Sequence, residues 1–218
     1  CFFIVFSADA KTKKVGLVLS GGGALGFAHI GAIQALEENG IHPNVIAGSS
    51  MGAIVGVLYA DGLTPMEMLQ IIKDEKLYKK TTLLKVKPSM DSKLGIYSHV
   101  ATRNLLSRLL PHNSFDSLPK DFYACVTNLD EATWEIASKG NQLKEYVIAS
   151  AAIPGVFEAE IINGKTYIDG GTLNNLPAQA IRSKCDVLIG VDVLPVTYQK
   201  ANKTADVLFQ ALRAAQHQ

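Results

Sequence analysis

The sequence lacks the patterns that mark metal-binding, disulfide-stabilised and nucleic-acid-binding proteins. Its three cysteines and five histidines show neither CxxC pairs nor metal-ligand spacing: Cys1, Cys125, Cys185, His29, His42, His99, His112 and His217. Its 21 basic residues nearly balance 20 acidic ones, giving a formal net charge of +1 without a basic stripe. We therefore expect no metal, no other cofactor and no nucleic-acid partner.

Long hydrophobic runs are also missing, since no segment approaches the roughly 18 apolar residues of a membrane-spanning helix. The start of the chain differs from the rest, because an apolar stretch over residues 1–6 precedes Ser7-Ala8-Asp9-Ala10, a small-x-small pattern typical of a cleavage site. We interpret residues 1–10 as the remnant of a signal peptide, followed by one domain over residues 11–218. Export to the periplasm, the outer membrane or the medium follows from this interpretation. The alternative is an N-terminal edge strand of a cytoplasmic protein.

The order of apolar runs and glycine turns predicts an α/β fold. Residues 15–19 form a short β-branched run that ends in glycines, and residues 27–39 then show helical spacing. A second strand, turn and helix follow at residues 45–47 and 51–60. Such units favour a mostly parallel central sheet with helices on both faces, a three-layer arrangement whose sites form at the carboxyl ends of strands.

The later segments continue this pattern without an internal repeat or a linker. We expect an amphipathic helix over 98–110, a buried strand over 122–127, a strand paired beside it over 133–137, a helix over 142–150, a short strand at 167–168 and a buried parallel strand over 187–193. The chain after residue 10 is therefore interpreted as a single domain.

A candidate nucleophile lies where the second strand turns into its helix. Residues 48–52 fit G-x-S-x-G, in which Gly48 and Gly52 allow the central Ser50 to lie on a sharp turn. The helix that begins at Met51 brings free N–H groups and its positive dipole end close to this serine. The alternative is a glycine-rich turn in which Ser50 only caps the helix. The strand-turn-helix context favours the nucleophile.

A nucleophilic serine needs a base within hydrogen-bonding reach, and Asp169 is the better candidate. It follows a short strand and precedes Gly170 and Gly171, so its carboxylate lies where the backbone must turn. On this pattern alone, an Asp-Gly turn of a β-hairpin is an equal alternative. An α/β-hydrolase would carry a late histidine after a strand, and none of the candidates lies in such a place: His99, His112 and His217.

The first glycine cluster allows two interpretations. Gly21, Gly23 and Gly26 satisfy G-x-G-x-x-G between a strand and a helix, as in dinucleotide-binding proteins. That function needs an acidic residue at the end of the next strand, and residues 47–50 contain none. The other interpretation is an oxyanion hole, because backbone N–H groups of residues without side chains can converge on one developing charge. The expected donors are Gly21, Gly22 and Gly23.

Taken in order, residues 21–26, residues 48–52 and Asp169-Gly170-Gly171 resemble the three signatures of patatin-like phospholipases of the bacterial type. The likeness covers nearly all of residues 15–195 and extends to three further segments: Thr127-Asn128-Leu129, residues 149–157 and Asn174-Asn175-Leu176-Pro177. The resemblance implies a Ser50–Asp169 dyad that uses neither histidine nor metal, with an oxyanion hole from the glycine loop. It also implies hydrolysis of acyl esters in phospholipids or other lipids, which is compatible with contact at a membrane surface.

One position departs from the family pattern. Leu25 lies where the family usually carries Arg or Lys. Backbone oxyanion donors do not need that cation, but its loss weakens the attraction of an anionic phosphate group. Ester hydrolysis is therefore the expected reaction, with phospholipid as one candidate substrate. Two alternatives stay open: a non-catalytic lipid-binding relative, which Leu25 motivates, and an α/β-hydrolase with a Ser-His-Asp triad.

Overall fold

The computed structural model describes residues 13–75, 77 and 98–194. The predicted signal-peptide remnant at residues 1–10 lies outside these residues, and the export hypothesis stays a prediction. Within the described ranges, no helix has both the length and the apolar character needed to cross a membrane.

Within the described ranges, seven strands form one sheet: β1 (Val15–Leu19), β2 (Val45–Ser49), β3 (Asp121–Asn128), β4 (Thr133–Ala137), β5 (Glu160–Ile162), β6 (Lys165–Asp169) and β7 (Val187–Val191). Each strand in the series β5-β6-β3-β2-β1-β7 is hydrogen-bonded to the next, and β4 also pairs with β3. Strands β3, β2, β1 and β7 are parallel, whereas β4, β5 and β6 pair in antiparallel fashion. The expected parallel centre is thus extended by antiparallel strands.

The described residues also contain five α-helices: α1 (Ala28–Glu38), α2 (Met51–Ala60), α3 (Pro65–Asp74), α4 (Val100–Leu109) and α5 (Leu143–Ser150). Short 3₁₀ helices occur at Gly23–Phe27, Phe115–Ser117, Gly170–Thr172, Ala178–Ala180 and Arg182–Lys184. The helices predicted over 27–39, 98–110 and 142–150 are confirmed with slightly shorter bounds. The strand pairing predicted at 133–137 is confirmed as well.

Side chains from alternate strand positions fill the core on the two faces of the sheet. On one face, Leu17, Leu19 and Ile46 of the strands share a cluster with Ile33 and Tyr59 of the α-helices. All five side chains are almost wholly buried. On the opposite face, Val18, Val45 and Ala47 pack against Ile181, which lies between the two 3₁₀ helices that precede β7. A mixed α/β fold, in which helices flank a central sheet, is therefore confirmed.

The structure differs from the sequence interpretation in two places. The sequence predicts β7 as a buried strand, but Val187 is 39% exposed, because β7 pairs with β1 alone among the described strands. The hairpin turn considered at Asp169 lies instead at Asn163 and Gly164 between β5 and β6, where φ is 53° and 80°. Positive φ at both central residues is typical of a tight hairpin turn. Asp169 ends β6, so the hairpin alternative for this residue is wrong.

Candidate active site

Ser50 lies between β2 and α2 in a backbone conformation that residues with side chains avoid. Its φ is 53° and its ψ is −125°. Strain of this kind costs about 1–3 kcal/mol and is concentrated at functional sites. Gly48 and Gly52 make the turn possible, because a Cβ on Gly48 would overlap the backbone of Gly52, and one on Gly52 would overlap the backbone of Leu19. The sharp turn expected from G-x-S-x-G is therefore present.

The hydroxyl group of Ser50 donates a hydrogen bond to Oδ2 of Asp169 at 2.6 Å. Although Ser50 occupies the N-cap position of α2, its side chain accepts no hydrogen bond from that helix. The alternative in which Ser50 serves only as a helix cap is therefore wrong. Both side chains are buried, at 6% and 5% exposure, so water competes little for their hydrogen bond.

The register of the sheet explains why these two side chains meet. Ser49 at the end of β2 pairs with Cys125 of β3, and Asp169 at the end of β6 pairs with Val126. Because residues 124–128 also pair with β4 on their other edge, β2 and β6 must share the remaining edge of β3 and meet end to end. The carboxyl ends of both strands therefore converge on neighbouring residues of β3.

Asp169 is held in place by further hydrogen bonds and by close packing. Its Oδ1 accepts from the N–H of Gly171 at 2.7 Å, and the hydroxyl of Thr127 donates to its backbone C=O at 3.0 Å. Gly170 packs directly against the backbone of β3, where a Cβ would overlap a carbonyl group. Gly170 and Gly171 thus allow the chain to turn away while the carboxylate stays directed at the serine.

Burial raises the pKa of the Asp169 carboxyl group to about 7. The main cause is desolvation of the charged form, which the hydrogen bonds from Ser50 and Gly171 oppose only in part. A carboxylate with a pKa near neutrality is a far stronger base than an exposed one, and it still ionises near physiological pH. Asp169 is therefore suited to accept the hydroxyl proton of Ser50.

The raised pKa of Asp169 predicts that pH affects activity and stability in opposite directions. The base must be ionised, so kcat/KM should rise with pH and reach half of its plateau near pH 7. The folded protein holds this proton more tightly than the unfolded chain does. The resulting stability is full below the unfolded pKa of about 4. Roughly 4 kcal/mol of it is lost as pH rises from there through the folded pKa near 7.

Asp169→Asn should remove this contribution to the pH dependence of stability, because asparagine stays neutral at every pH. Near pH 8 the variant should therefore melt at a higher temperature than the wild type, and near pH 4 the difference should vanish. Thermal unfolding of both proteins at several pH values checks this. If the melting temperature of the wild type instead increases relative to that of the variant as pH rises, the raised pKa is contradicted.

The glycine loop that follows β1 lies beside the nucleophile. A Cβ on Gly21 would come within 2.9 Å of the Cβ of Ser50, so this glycine is required by close packing. The N–H of Gly21 already donates to the C=O of Asn175 at 3.3 Å. The N–H groups of Gly22 and Gly23 have no acceptor within the described part of the chain. Of the three expected oxyanion donors, two therefore donate to no group in the described ranges.

The N–H of Ser50 itself has a different partner. It donates to Oγ of Ser150 at 2.9 Å, and that hydroxyl donates in turn to the C=O of Cys125 at 2.6 Å. The N–H of Ser50 is therefore not available to bind a developing oxyanion. Other backbone donors near the nucleophile include those of the glycine loop and the N–H of Met51 at the start of α2.

No local sequence pattern indicates a role for Ser150 or Asn175, although both contact the site. Asn175 connects the glycine loop to the segment after Asp169, because its C=O accepts from the N–H of Gly21 and its side-chain amide donates to the C=O of Gly21 at 3.4 Å. The one signal for either residue is its place in a segment that resembles the family, at 149–157 or at 174–177.

In the part of the chain that the structure describes, neither a histidine nor a metal-binding cluster assists the dyad. Nε2 of His29 hydrogen-bonds to the C=O of Ser20 at 2.8 Å, and burial lowers its pKa. His99 stacks on Phe157 with ring centroids 4.6 Å apart, and burial lowers its pKa to about 4. Of the other two triad candidates, His112 is exposed in the loop after α4, and His217 lies outside the described ranges.

Exposed apolar side chains flank both halves of the site. Leu25 is 52% exposed on the 3₁₀ helix after the glycine loop, and Leu173 is 41% exposed just after the 3₁₀ helix that follows Asp169. The contacts between Gly21 and Asn175 join these two loops. The loops around the dyad therefore present apolar surface, with leucine at the position where the family usually has a cation.

Comparisons with known proteins point to one family. A family model described as patatin-like phospholipase matches residues 17–181. Lysophospholipase NTE1 of Saccharomyces cerevisiae is 32% identical over 196 residues, which are 88% of this chain and 11% of that protein. An uncharacterized NTE family protein of Mycobacterium tuberculosis is 33% identical over 213 residues, which are 94% of this chain and 57% of that protein. The chain thus spans only part of the length of these curated relatives.

A solved structure shares the fold. VipD from Legionella pneumophila superposes with a TM-score of 0.54 at 18% sequence identity, over 76% of this chain and 47% of that chain. At this identity the likeness concerns the fold alone. The matched family segment contains the glycine loop, Ser50 and Asp169. The chain belongs to the patatin-like phospholipase family.

Proposed function

We propose that this chain hydrolyses acyl esters of lipids with Ser50 as nucleophile and Asp169 as base. The observation that carries the proposal is the 2.6 Å hydrogen bond from Oγ of Ser50 to Oδ2 of Asp169. It joins a serine on a strained turn to a buried carboxylate whose pKa is raised to about 7. A nucleophile and a base in direct contact are the minimum that ester cleavage by acyl transfer requires.

In the first half of the reaction, Oγ of Ser50 attacks the carbonyl carbon of the ester while its proton moves to Asp169. The carbonyl oxygen takes up the displaced electron pair and becomes an oxyanion. When this intermediate collapses, the bond to the alcohol breaks and Asp169 returns the proton to the leaving oxygen. The alcohol departs, and the acyl group stays on Ser50 as a new ester.

Water completes the cycle by the same steps in reverse. Asp169 removes a proton from a water molecule, whose oxygen attacks the acyl carbon. The bond to Oγ of Ser50 then breaks, and Asp169 returns the proton to the serine oxygen. One ester and one water are consumed, and one alcohol and one fatty acid are released.

Backbone N–H groups stabilise both oxyanions in this proposal. Gly22 and Gly23 supply N–H groups that no described residue accepts from, and Met51 adds the N–H at the start of α2. Loss of one donor of this kind typically costs roughly 3–4 kcal/mol of transition-state stabilisation. Gly21 contributes by packing instead, because its missing side chain lets the loop approach Ser50.

We infer acyl lipids as the substrate class from the family and from the apolar rim of the site. The relative named lysophospholipase supports a lipid ester. Leu25 and Leu173 would contact acyl chains or a lipid surface more favourably than water, since burial of exposed apolar surface is stabilising. The lipid surface is therefore the proposed partner.

Fatty-acid release from three substrates tests the proposed function. Purified protein is incubated with lysophosphatidylcholine micelles, phosphatidylcholine vesicles and a p-nitrophenyl acyl ester, and free fatty acid is measured by mass spectrometry. We expect release from the soluble ester and from at least one lipid. Vesicle binding without release from any substrate would contradict the proposal and support the lipid-binding alternative.

Leu25→Arg should raise kcat/KM for a soluble short-chain phosphatidylcholine more than for a neutral ester. Only the phospholipid offers an anionic phosphate to the guanidinium group. Leu173→Arg is the matched control, because it adds the same charge to an exposed leucine on the other loop. An equal gain in both variants that fades with salt would indicate general surface attraction, since exposed charges are screened beyond about 8–10 Å.

A further inference from the structure

Ser150, the last residue of α5, is fully buried, and its hydroxyl group both accepts and donates a hydrogen bond beside the nucleophile. Its Oγ accepts from the N–H of Ser50 at 2.9 Å and donates to the C=O of Cys125 at 2.6 Å. A hydroxyl group has one proton to donate, and here both its donor and its acceptor side are directed to backbone groups of other elements. The residue therefore forms a bridge between the nucleophile turn and β3.

This bridge holds the backbone of Ser50, the residue of the dyad whose conformation is strained. The φ of 53° at Ser50 is a strained value, which persists only when surrounding contacts enforce it. The carbonyl at the other end belongs to Cys125, which neighbours Val126, the register partner of Asp169. One hydroxyl group thus fixes the nucleophile's backbone to the same stretch of β3 that positions the base.

We propose that Ser150 is a positioning residue for the reaction, an inference that rests on the function proposed above. Its hydroxyl holds the turn so that Oγ of Ser50 points at Asp169, and it occupies the N–H of Ser50 so that oxyanions bind to the glycine loop instead. Ser150 acts through the backbone of Ser50 and touches no reacting atom.

A comparison of Ser150→Thr with Ser150→Val separates the effect of losing the hydroxyl group from the effect of changed packing. The two side chains have nearly the same shape, so both meet the same crowding at this buried position, and only threonine keeps the bridge. We expect kcat of Ser150→Val to be about 10–100-fold below that of Ser150→Thr, since small misplacements of reacting groups cost up to about 10²-fold. KM for a short-chain ester should be similar in both.

The pH profile of kcat/KM gives a second readout. A purely structural role would not lower the plateau while leaving the inflection unchanged. The hydrogen bond from Gly171 to Asp169 does not involve Ser150, so we expect both variants to keep it. The inflection of kcat/KM should therefore stay near pH 7 while the plateau of the valine variant falls. Assays are run well below the melting temperature of each variant, which is measured alongside.

Ser49→Ala provides a matched control next to the nucleophile. Ser49 is as fully buried as Ser150, but its hydroxyl has no hydrogen-bond partner in the described part of the structure. Its removal should change kcat by less than about twofold, since no hydrogen bond is lost. If neither the threonine nor the valine variant folds, Ser150→Ala is compared with Ser49→Ala, and a selective loss of kcat in the former is expected.

Equal kcat values for the threonine and valine variants, or for the two alanine variants, would overturn the inference while leaving the proposed function intact. A wild-type protein that cleaves no ester would instead contradict the proposed function, and this inference with it. A fall in kcat that follows the fraction of unfolded protein would assign Ser150 a structural role only.

Discussion

Ser50→Ala is expected to lower kcat for acyl ester hydrolysis by roughly 10⁴–10⁶-fold, the loss seen when a serine hydrolase loses its nucleophile. Without Oγ no acyl-enzyme forms, and the base has no hydroxyl group to deprotonate. The fold should persist, because the hydroxyl has one hydrogen-bond partner among the described residues, Asp169, and alanine retains the Cβ that the turn already accommodates. Initial rates and melting temperatures of the purified variant check both statements.

Ser49→Ala is the control for this substitution. The two serines are adjacent and both are buried, but the hydroxyl of Ser49 has no partner among the described residues, whereas that of Ser50 contacts the base. We expect the Ser49 variant to keep its activity within about twofold. The opposite outcome, an inactive Ser49 variant and an active Ser50 variant, would place the nucleophile one residue earlier than proposed.

Asp169→Asn is expected to lower kcat/KM by about 10³–10⁴-fold, because general-base catalysis and its orienting bond supply an effect of this size. The amide oxygen can still accept from the N–H of Gly171, so the loop should keep its position. Asparagine cannot take up the serine proton at any accessible pH. The rise of kcat/KM with pH should therefore disappear together with most of the rate.

Single histidine-to-alanine variants serve as the comparison for Asp169. The dyad predicts small effects at each of the histidines that follow Ser50: His99, His112 and His217. His99 is buried against Phe157, so its variant should lose some stability while its rate per folded molecule is kept. A loss of several orders of magnitude at any of the three, most informatively at His217, would support a triad instead.

The sequence was sufficient to predict those parts of the site that depend on local backbone geometry. The turn at Ser50 needs glycine on both sides, because Gly48 and Gly52 approach backbone atoms too closely for a side chain. That requirement is visible in five consecutive residues. At Asp169 the local pattern was ambiguous, and pairing with Val126 of β3 decides against a hairpin turn there.

The remaining features depend on residues that are distant in the sequence. Ser150 and Ser50 are separated by 100 positions, so no local pattern predicts that their hydroxyl and N–H groups meet. The raised pKa of Asp169 results from burial in the assembled fold, which composition does not determine. The exposure of β7 likewise follows from its place at the end of the described sheet order, which the apolar run alone does not reveal.

The measurement that tests the central claim most directly is labelling with a fluorophosphonate probe followed by peptide mapping. Cleavage after glutamate gives a peptide over residues 39–67 in which Ser49 and Ser50 are the two serines. The dyad predicts one probe adduct, located on Ser50, which persists in Ser49→Ala, slows strongly in Asp169→Asn and is absent from Ser50→Ala. An adduct on another residue, or undiminished labelling and ester hydrolysis in Ser50→Ala, would contradict it.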